Sequence, residues 1–262
     1  MGSARRNTLY ATVSKGYKAG GFNTQMFSDV LQQQVMKQMG FGSLYDVADV
    51  VTYKPEKSWN YEVGAHLSTP SHKVQADLAL FYIDCRDQQL TVFPEGQVTG
   101  RLMTNAGRTR SFGGEASLLA TLWRNLDLQV AYGYTRATFV KFDTGKADYA
   151  GNFIPYAPQH TLYAGASYTL RTGWNWLEYV IFRVAANGAG RIYWNEANTF
   201  SQPFYALLEA SIRFEHRHWA VDVWGRNLTD TRYDTFYFMS IGNSFLQRSR
   251  PRTFGVSLSI TL

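Results

Sequence analysis

Apolar and polar residues alternate one by one along most of this chain. The last segment shows the period best: Phe254, Val256, Leu258, Ile260 and Leu262 alternate with Thr253, Gly255, Ser257, Ser259 and Thr261. Successive side chains of a strand point to opposite faces, so this segment has one apolar face and one face of small and polar groups. The same arithmetic sets Trp59, Tyr61, Val63, Ala65 and Leu67 against Ser58, Asn60, Glu62, Gly64 and His66. It sets Leu126, Leu128, Val130, Tyr132 and Tyr134 against Asp127, Gln129, Ala131, Gly133 and Thr135. It recurs between Thr161 and Leu170 and again between Trp219 and Trp224.

This template predicts about ten strands. They lie near Thr8–Lys18, Lys57–Thr69, Lys73–Asp84, Arg108–Trp123, Leu126–Phe142, Pro158–Leu170, Trp176–Ala186, Phe204–Glu215, Trp219–Asn227 and Arg252–Leu262, with Gln97–Asn105 extending the fourth. Several are longer than the roughly 5–6 residues usual in soluble sheets. The connections alternate in length. Short ones fall at Pro70-Ser71, Asn125, Arg171–Asn175 and His216–His218. Long ones fall at Ala19–Glu56, Cys85–Gly107, Asp143–Ala157, Asn187–Pro203 and Leu228–Pro251. Outer-membrane barrels combine short periplasmic turns with long extracellular loops. The pattern therefore predicts an all-β, antiparallel transmembrane β-barrel segment, a single unit over residues 1–262, with Leu262 at the periplasmic end. In the first long connection Met26, Val30, Leu31, Val35 and Met39 recur at helical spacing and predict a helical turn or two.

Composition sharpens this picture. Aromatic residues make up 16% of the chain, with 17 Tyr, 17 Phe and 7 Trp. That enrichment favours strands and suits rings placed at a membrane–water boundary. No stretch approaches the ~20 apolar residues of a spanning helix, whereas a barrel strand needs only ~9–11 with alternate polarity. The start, Met1-Gly2-Ser3-Ala4-Arg5-Arg6, is basic but no apolar core follows, so it does not read as a secretory signal. The chain is expected to be a fragment of something longer.

The net charge is +6, yet the basic residues are dispersed and no Lys/Arg-rich run appears, which argues against nucleic-acid binding. The single cysteine, Cys85, excludes a disulfide framework and reads as a buried small apolar residue. His216 and His218 form an H-x-H pair at a predicted turn, without an acidic or cysteine cluster beside them, so no metal site and no cofactor are expected. No G-x-S-x-G, H-E-x-x-H or phosphate-loop pattern occurs, and no catalytic residue is assigned.

Four ordered segments carry a family resemblance. The first runs from Leu9 to Asn23 and contains Ser14-Lys15-Gly16-Tyr17-Lys18 and Gly20-Gly21-Phe22-Asn23. The second is Pro55-Glu56 with Tyr61-Glu62-Val63-Gly64, and the third is Asn105-Ala106-Gly107-Arg108 with Gly113-Gly114-Glu115-Ala116. The fourth is Asn227-Leu228-Thr229-Asp230, followed by Pro251-Arg252-Thr253-Phe254-Gly255 and the terminal strand. Together they resemble the C-terminal barrel of TonB-dependent receptors of the siderophore and iron-complex type. The resemblance implies an outer-membrane transporter in a Gram-negative bacterium, energised by a TonB complex through an N-terminal plug domain. By the same resemblance, that plug and the first half of a ring of about twenty-two strands are expected to lie outside this sequence. The family usually ends in Phe or Trp, where this chain has Leu262.

The partners so implied are outer-membrane lipid, the plug and remaining strands, the TonB complex, and a small-molecule ligand such as a ferric siderophore. Glu62 and Glu115, with Arg101, Arg108 and Arg110, are expected to face the lumen and the plug. A charge facing lipid there would cost a few kcal/mol. For the ligand, the loops at Arg191, Tyr193 and Trp194, at Phe236 and Tyr237, and at Arg248 combine rings that stack with guanidinium groups that grip anions. An aromatic belt at the membrane interface is the competing reading for those rings. A non-energised porin or adhesin barrel, a soluble β-sandwich or lipocalin-type binder, and a membrane-embedded enzyme remain as alternatives at this point.

Overall fold

The computed structural model describes residues 7–24, 31, 35, 37–40, 51–71, 73–92, 102–123, 125–144, 147–240 and 243–261. Among them are sixteen strands: β1 (Thr8–Lys18), β2 (Gly21–Phe22), β3 (Thr52–Tyr53), β4 (Glu56–Ser68), β5 (Val74–Val92), β6 (Leu102–Leu122), β7 (Leu126–Lys141), β8 (His160–Trp174), β9 (Leu177–Ala189), β10 (Ile192–Tyr193), β11 (Ser201–Gln202), β12 (Tyr205–His216), β13 (Trp219–Arg226), β14 (Asp234–Ser240), β15 (Asn243–Arg248) and β16 (Thr253–Ile260).

Ten of these form one antiparallel sheet in the order β1-β4-β5-β6-β7-β8-β9-β12-β13-β16, and the other six pair as β2–β3, β10–β11 and β14–β15. Within the ten-stranded sheet, each strand pairs with the sheet strands that precede and follow it in the chain, and among the described residues β1 and β16 are its edges. The ten expected strands are all present. Within the first long connection, Leu31, Val35, Lys37 and Gln38 are helical and the Val35 carbonyl accepts from the Met39 amide at 3.0 Å. Met26, Val30, Arg101 and Leu262 lie outside the described residues.

The largest differences from the sequence expectation lie at two connections. The connection expected over Cys85–Gly107 is largely strand, because β5 runs 19 residues to Val92 and β6 runs 21 from Leu102. Hydrocarbon is spanned by about 9–11 residues, so this hairpin projects well beyond a membrane. The turn expected over Arg171–Asn175 is tighter. β8 continues to Trp174, and Gly173 takes φ 77°, a left-handed conformation that suits glycine.

The two faces of the sheet differ as alternation requires. One cross-strand row reads Leu9, Ala65, Leu78, Ala116 and Tyr132 across β1, β4, β5, β6 and β7. The same face continues through Leu162, Val184, Ile212, Val223 and Val256. These side chains are open to the surroundings; Leu9 is 82% exposed and Leu80, Leu258 and Ile260 are 64–65% exposed. A protein dissolved in water rarely shows an apolar patch beyond a few hundred Å2. A wall of this kind is complementary to hydrocarbon. By contrast, among the described residues the buried apolar side chains form a small cluster: Ala106, Ala137, Phe139, Phe142 and Ile154 near the long-connection end.

The opposite face is polar and concave. A hollow of about 680 Å3 on it takes lining residues from seven strands, β1 to β9, among them Tyr10, Glu62, Asp77, Glu115, Thr161 and Asn187. Glycine supports the close packing at one point in particular. The Trp224 ring lies directly over Gly255, and its indole Nε1 donates to Ser257 Oγ at 3.1 Å, so any Cβ at position 255 would collide with the ring.

Candidate functional site

The motif residues that stood out in the sequence act as clamps at the bases of the long connections. Asn105 Oδ1 accepts from the Lys54 amide at 2.7 Å, and its Nδ2 donates to the carbonyls of Lys54 at 3.1 Å and Asp87 at 2.6 Å. Glu56 Oε2 accepts from the Gln89 amide at 2.9 Å, and Gln89 Nε2 donates to the Ala19 and Lys54 carbonyls. Both ends of the last connection are held in the same way. Asn227 Nδ2 donates to the carbonyls of Thr231 at 3.0 Å and Arg250 at 3.2 Å, while Asp230 Oδ1 accepts from the Arg252 amide at 2.9 Å. Asn227 and Asp230 take φ of 49° and 51°, a region that short polar side chains tolerate.

Above these clamps three connections converge. Residues 152–159 extend the edge of β7, with the Phe139 amide donating to Asn152 O and Thr135 to Gln159 O. Tyr156 then becomes a hub. Its ring lies 5.4 Å from Trp194 and 5.6 Å from Phe236, its amide donates to Tyr193 O, and its hydroxyl donates to Tyr237 O at 3.0 Å. Tyr193 stacks on Phe153 at 5.4 Å and Phe200 on Tyr237 at 4.6 Å. Burial pushes the Tyr156 phenol up to about 12, so it stays a neutral donor.

This cluster corrects one expectation. Trp194 and Tyr237 were expected as exposed recognition groups, but they are only 8% and 7% exposed. They pack the loops together. The sequence region Phe236–Met239 is not open loop either, because β14 and β15 pair there as a hairpin with Phe238 opposite Phe245. Arg191 remains on the exposed side, its Nη1 3.4 Å from Ser201 Oγ.

Beside the cluster lies a cavity of about 870 Å3 between β12, β13, β16 and the last connection. Phe236 and Arg248 line it together with Arg250 and Tyr233, joined by two strand residues that carry no loop or motif signal in the sequence, Trp224 and Arg226. The Arg226 guanidinium sits 4.8 Å over the Trp224 ring, and Tyr233 stacks on Tyr205 at 3.9 Å. Arg226 and Trp224 share a parity on β13, which sequence counting would have placed on the polar face.

Of the residues expected in the lumen, Glu62 and Glu115 lie on the polar face. Tyr10 donates to Glu62 Oε1 at 2.8 Å; beside it His66 Nδ1 meets Asp77 Oδ1 at 2.6 Å and Ser117 donates to Asp77 Oδ2 at 3.0 Å. Arg108 and Arg110 are a correction. Arg110 stands opposite Asp84 and Arg108 opposite Arg86, on the same face as Tyr82, Phe112 and Leu80. Arg108 Nε pairs with Asp84 Oδ1 at 2.7 Å on that outer face. The even parity shared by Arg108, Arg110 and Phe112 is the reason. Among the described residues no group of three His, Cys, Asp or Glu is arranged to hold a metal.

Glu196 gives this loop assembly a pH dependence. Its carboxyl sits among the converging connections, and burial holds it above its ordinary range. The folded loops therefore bind the proton more tightly than the open chain does. Packing should strengthen as pH falls through the raised folded value toward the ordinary 4.5, and weaken above it. Hydrogen exchange at the Trp194 amide, which donates to Phe200 O, should then be slower at about pH 5 than at about pH 7.5 after correction for intrinsic rates. Glu196→Gln should abolish the difference; a variant that keeps it would assign the effect elsewhere.

Residues 5–228 match the family model described as TonB dependent receptor-like, beta-barrel. The chain belongs to this family. As a TonB-dependent receptor barrel segment it is part of an outer-membrane wall, which accounts for the apolar face left open on the sheet. The pesticin receptor of Yersinia pestis is 27% identical over 258 residues, covering 96% of this chain and 33% of that receptor. That of Yersinia enterocolitica matches to the same extent. Among solved structures, the ferric yersiniabactin uptake receptor FyuA from Yersinia pestis superposes with a TM-score of 0.75 at 23% identity, over 98% of this chain and 35% of that one. The ferric preacinetobactin receptor BauA from Acinetobacter baumannii gives 0.66 at 18% identity, over 98% and 34%. The chain spans about a third of the length of the relatives it matches. Those relatives are receptors, not enzymes.

Proposed function

We propose that this chain forms part of the wall and ligand vestibule of a TonB-energised receptor that imports a ferric siderophore. The observation that carries the reading is the cavity of about 870 Å3 at the long-connection end, where Arg226, Arg248 and Arg250 meet Trp224, Tyr233 and Phe236. Guanidinium groups and aromatic faces in one concave site suit a planar, anionic, partly apolar chelate. The names of the relatives support the same ligand class. The packed cluster around Tyr156 holds the loops that frame the cavity, so Tyr193, Trp194 and Tyr237 act in building the vestibule, while Arg191 stays exposed. Glu62 and Glu115, on the polar face below, would meet a plug domain. The chain's residues bind and orient; no bond of the ligand is made or broken.

The test uses the full-length receptor expressed in an iron-starved Gram-negative host stripped of its own receptors. Radioactive ferric yersiniabactin is the first probe. Uptake should require TonB, and Arg226→Gln with Arg248→Gln should weaken binding about tenfold, the loss expected for charge-assisted hydrogen bonds. Uptake that persists without TonB would turn the reading toward a non-energised porin. Unchanged affinity in the double variant would remove the cavity from it.

A further inference from the structure

The outer face carries a gradient toward the long-connection end that finishes in a concentration of like charge. Three successive cross-strand rows show it. The lowest reads Val13, Tyr61, Tyr82, Phe112 and Arg136 from β1 to β7. The next reads Lys15, Trp59, Asp84, Arg110 and Thr138. The uppermost reads Tyr17, Lys57, Arg86, Arg108 and Lys141. Below them, from β1 to β6, the rows are aliphatic: Ala11, Val63, Leu80 and Gly114, then Leu9, Ala65, Leu78 and Ala116. Aliphatic, aromatic and then basic is the order of hydrocarbon, interface and headgroup.

The uppermost row is unusual in its charge. Lys57, Arg86, Arg108 and Lys141 are directly opposite one another on four adjacent strands, and all four are exposed. Like charges opposite each other destabilise a sheet. Strand spacing places the four within a line of about 15 Å. Among the described residues the ion pair of Asp84 with Arg108 is the only one formed by any of them. Lys15, one row below, lies 5.8 Å over the Trp59 ring, and Arg136, two rows below, lies 5.8 Å over Phe153, which adds positive charge beneath the row. Such a row becomes favourable when anions lie along it.

We propose that this basic row is a binding site for the phosphate groups of an outer-leaflet glycolipid, the lipopolysaccharide of the outer membrane. Its position fixes the source of the phosphate: the row is continuous with the apolar wall, so a lipid whose acyl chains lie against Leu78, Leu80 and Val63 has its headgroup at Lys57, Arg86, Arg108 and Lys141. Arg108, held by Asp84, supplies a fixed guanidinium fork; Lys57 and Lys141 supply mobile ammonium groups on either side. The site stands on the outside of the wall, apart from the vestibule.

The experiment is native mass spectrometry of the full-length receptor in detergent, titrated with hexa-acylated lipid A in its phosphorylated and its enzymatically dephosphorylated forms. The phosphorylated form should bind, and the variant Lys57→Gln, Arg86→Gln, Arg108→Gln, Lys141→Gln should bind it at least about tenfold more weakly. The dephosphorylated form should bind both proteins alike and weakly. Gel mobility with and without heating reports whether each variant is folded. If the fourfold variant is not, the pair Arg108→Gln, Lys141→Gln is read instead, with a loss of about threefold or more expected. Equal binding by wild type and variant overturns the proposal, as does equal binding of the two lipid forms. Displacement of the lipid by millimolar inorganic phosphate would make this a free-anion site and overturn the lipid assignment. None of the four residues lines the vestibule, so ferric siderophore uptake should be unchanged in the variant.

Discussion

Leu78→Arg should destabilise the folded barrel by about 2–4 kcal/mol, whereas Ala79→Arg, one residue away, should change it by less than about 1 kcal/mol. Leu78 lies in the middle of the apolar wall, 48% exposed, opposite Ala65 and Ala116. A guanidinium there faces hydrocarbon with no partner. Ala79 is opposite Glu115 and lines the polar hollow, where an added cation finds a carboxylate and water. Reversible denaturant unfolding in lipid vesicles, with gel mobility as the readout, measures both. The result that would sink the assignment of faces is the reverse order, or two equal losses. A water-soluble sheet with the apolar wall packed on a protein interior would also fail to give depth dependence. Arginine moved from position 78 to position 82, at the aromatic row, should cost less than half as much.

Trp194→Ala should cost about 3–5 kcal/mol within the loop assembly while leaving the sheet intact. Trp194 is 8% exposed, its amide is bonded to Phe200 O, and its ring meets Tyr156. Removing it leaves Tyr156 with one face unfilled. Tyr156 is also the contact to Phe236, so the loss spreads to three connections. Hydrogen exchange should rise across residues 152–159, 190–203 and 234–248, and stay unchanged in β4 to β6. Loss of ligand affinity should follow, because Phe236 belongs to both the cluster and the cavity. A variant with unaltered exchange would mean that the three connections are held by their bases alone.

The sheet was legible because membrane strands must alternate. Thr8–Lys18 was found with its true limits, since Leu9, Ala11 and Val13 on one face and Tyr10, Thr12 and Ser14 on the other leave no second choice. The upper part of β5 was not legible, although the extension of the fourth strand was, over residues 102–105. Above Asp84 both faces of the strand meet water or other loops, so Arg86, Asp87, Gln88 and Gln89 carry no apolar period to read. The outward placement of Arg108 and Arg110 was within reach. Counting back by twos from Phe112 gives it, against the general tendency of charge to avoid a lipid-facing wall. Charge above the hydrocarbon has no need to hide.

The candidate site was only partly legible for a different reason. The cluster of Tyr156, Trp194 and Phe236 joins three connections separated by some forty residues each, and no local pattern announces that they meet. Arg226 and Trp224, in contrast, sit in a strand whose alternation was read, and their parity alone marks the polar face. Asn105, Asn227 and Asp230 stood out as motif residues, yet their role as clamps appears only when the chain they grip is seen. A motif at a strand end here marks where a loop is fastened, and the ligand-facing groups are its neighbours.

Strict nearest-neighbour pairing has a consequence for how such a wall can change size. A hairpin enters and leaves on the short-turn side, so whole hairpins can be duplicated or lost without disturbing what lies on either flank. Loss of a single strand is different in kind. Every later segment would run in the opposite direction, carrying its long connection to the wrong compartment. Growth of this architecture is therefore quantised in twos, and the natural crossover points for chimeras are the short turns near Pro70, Asn125, Gly173 and Arg217.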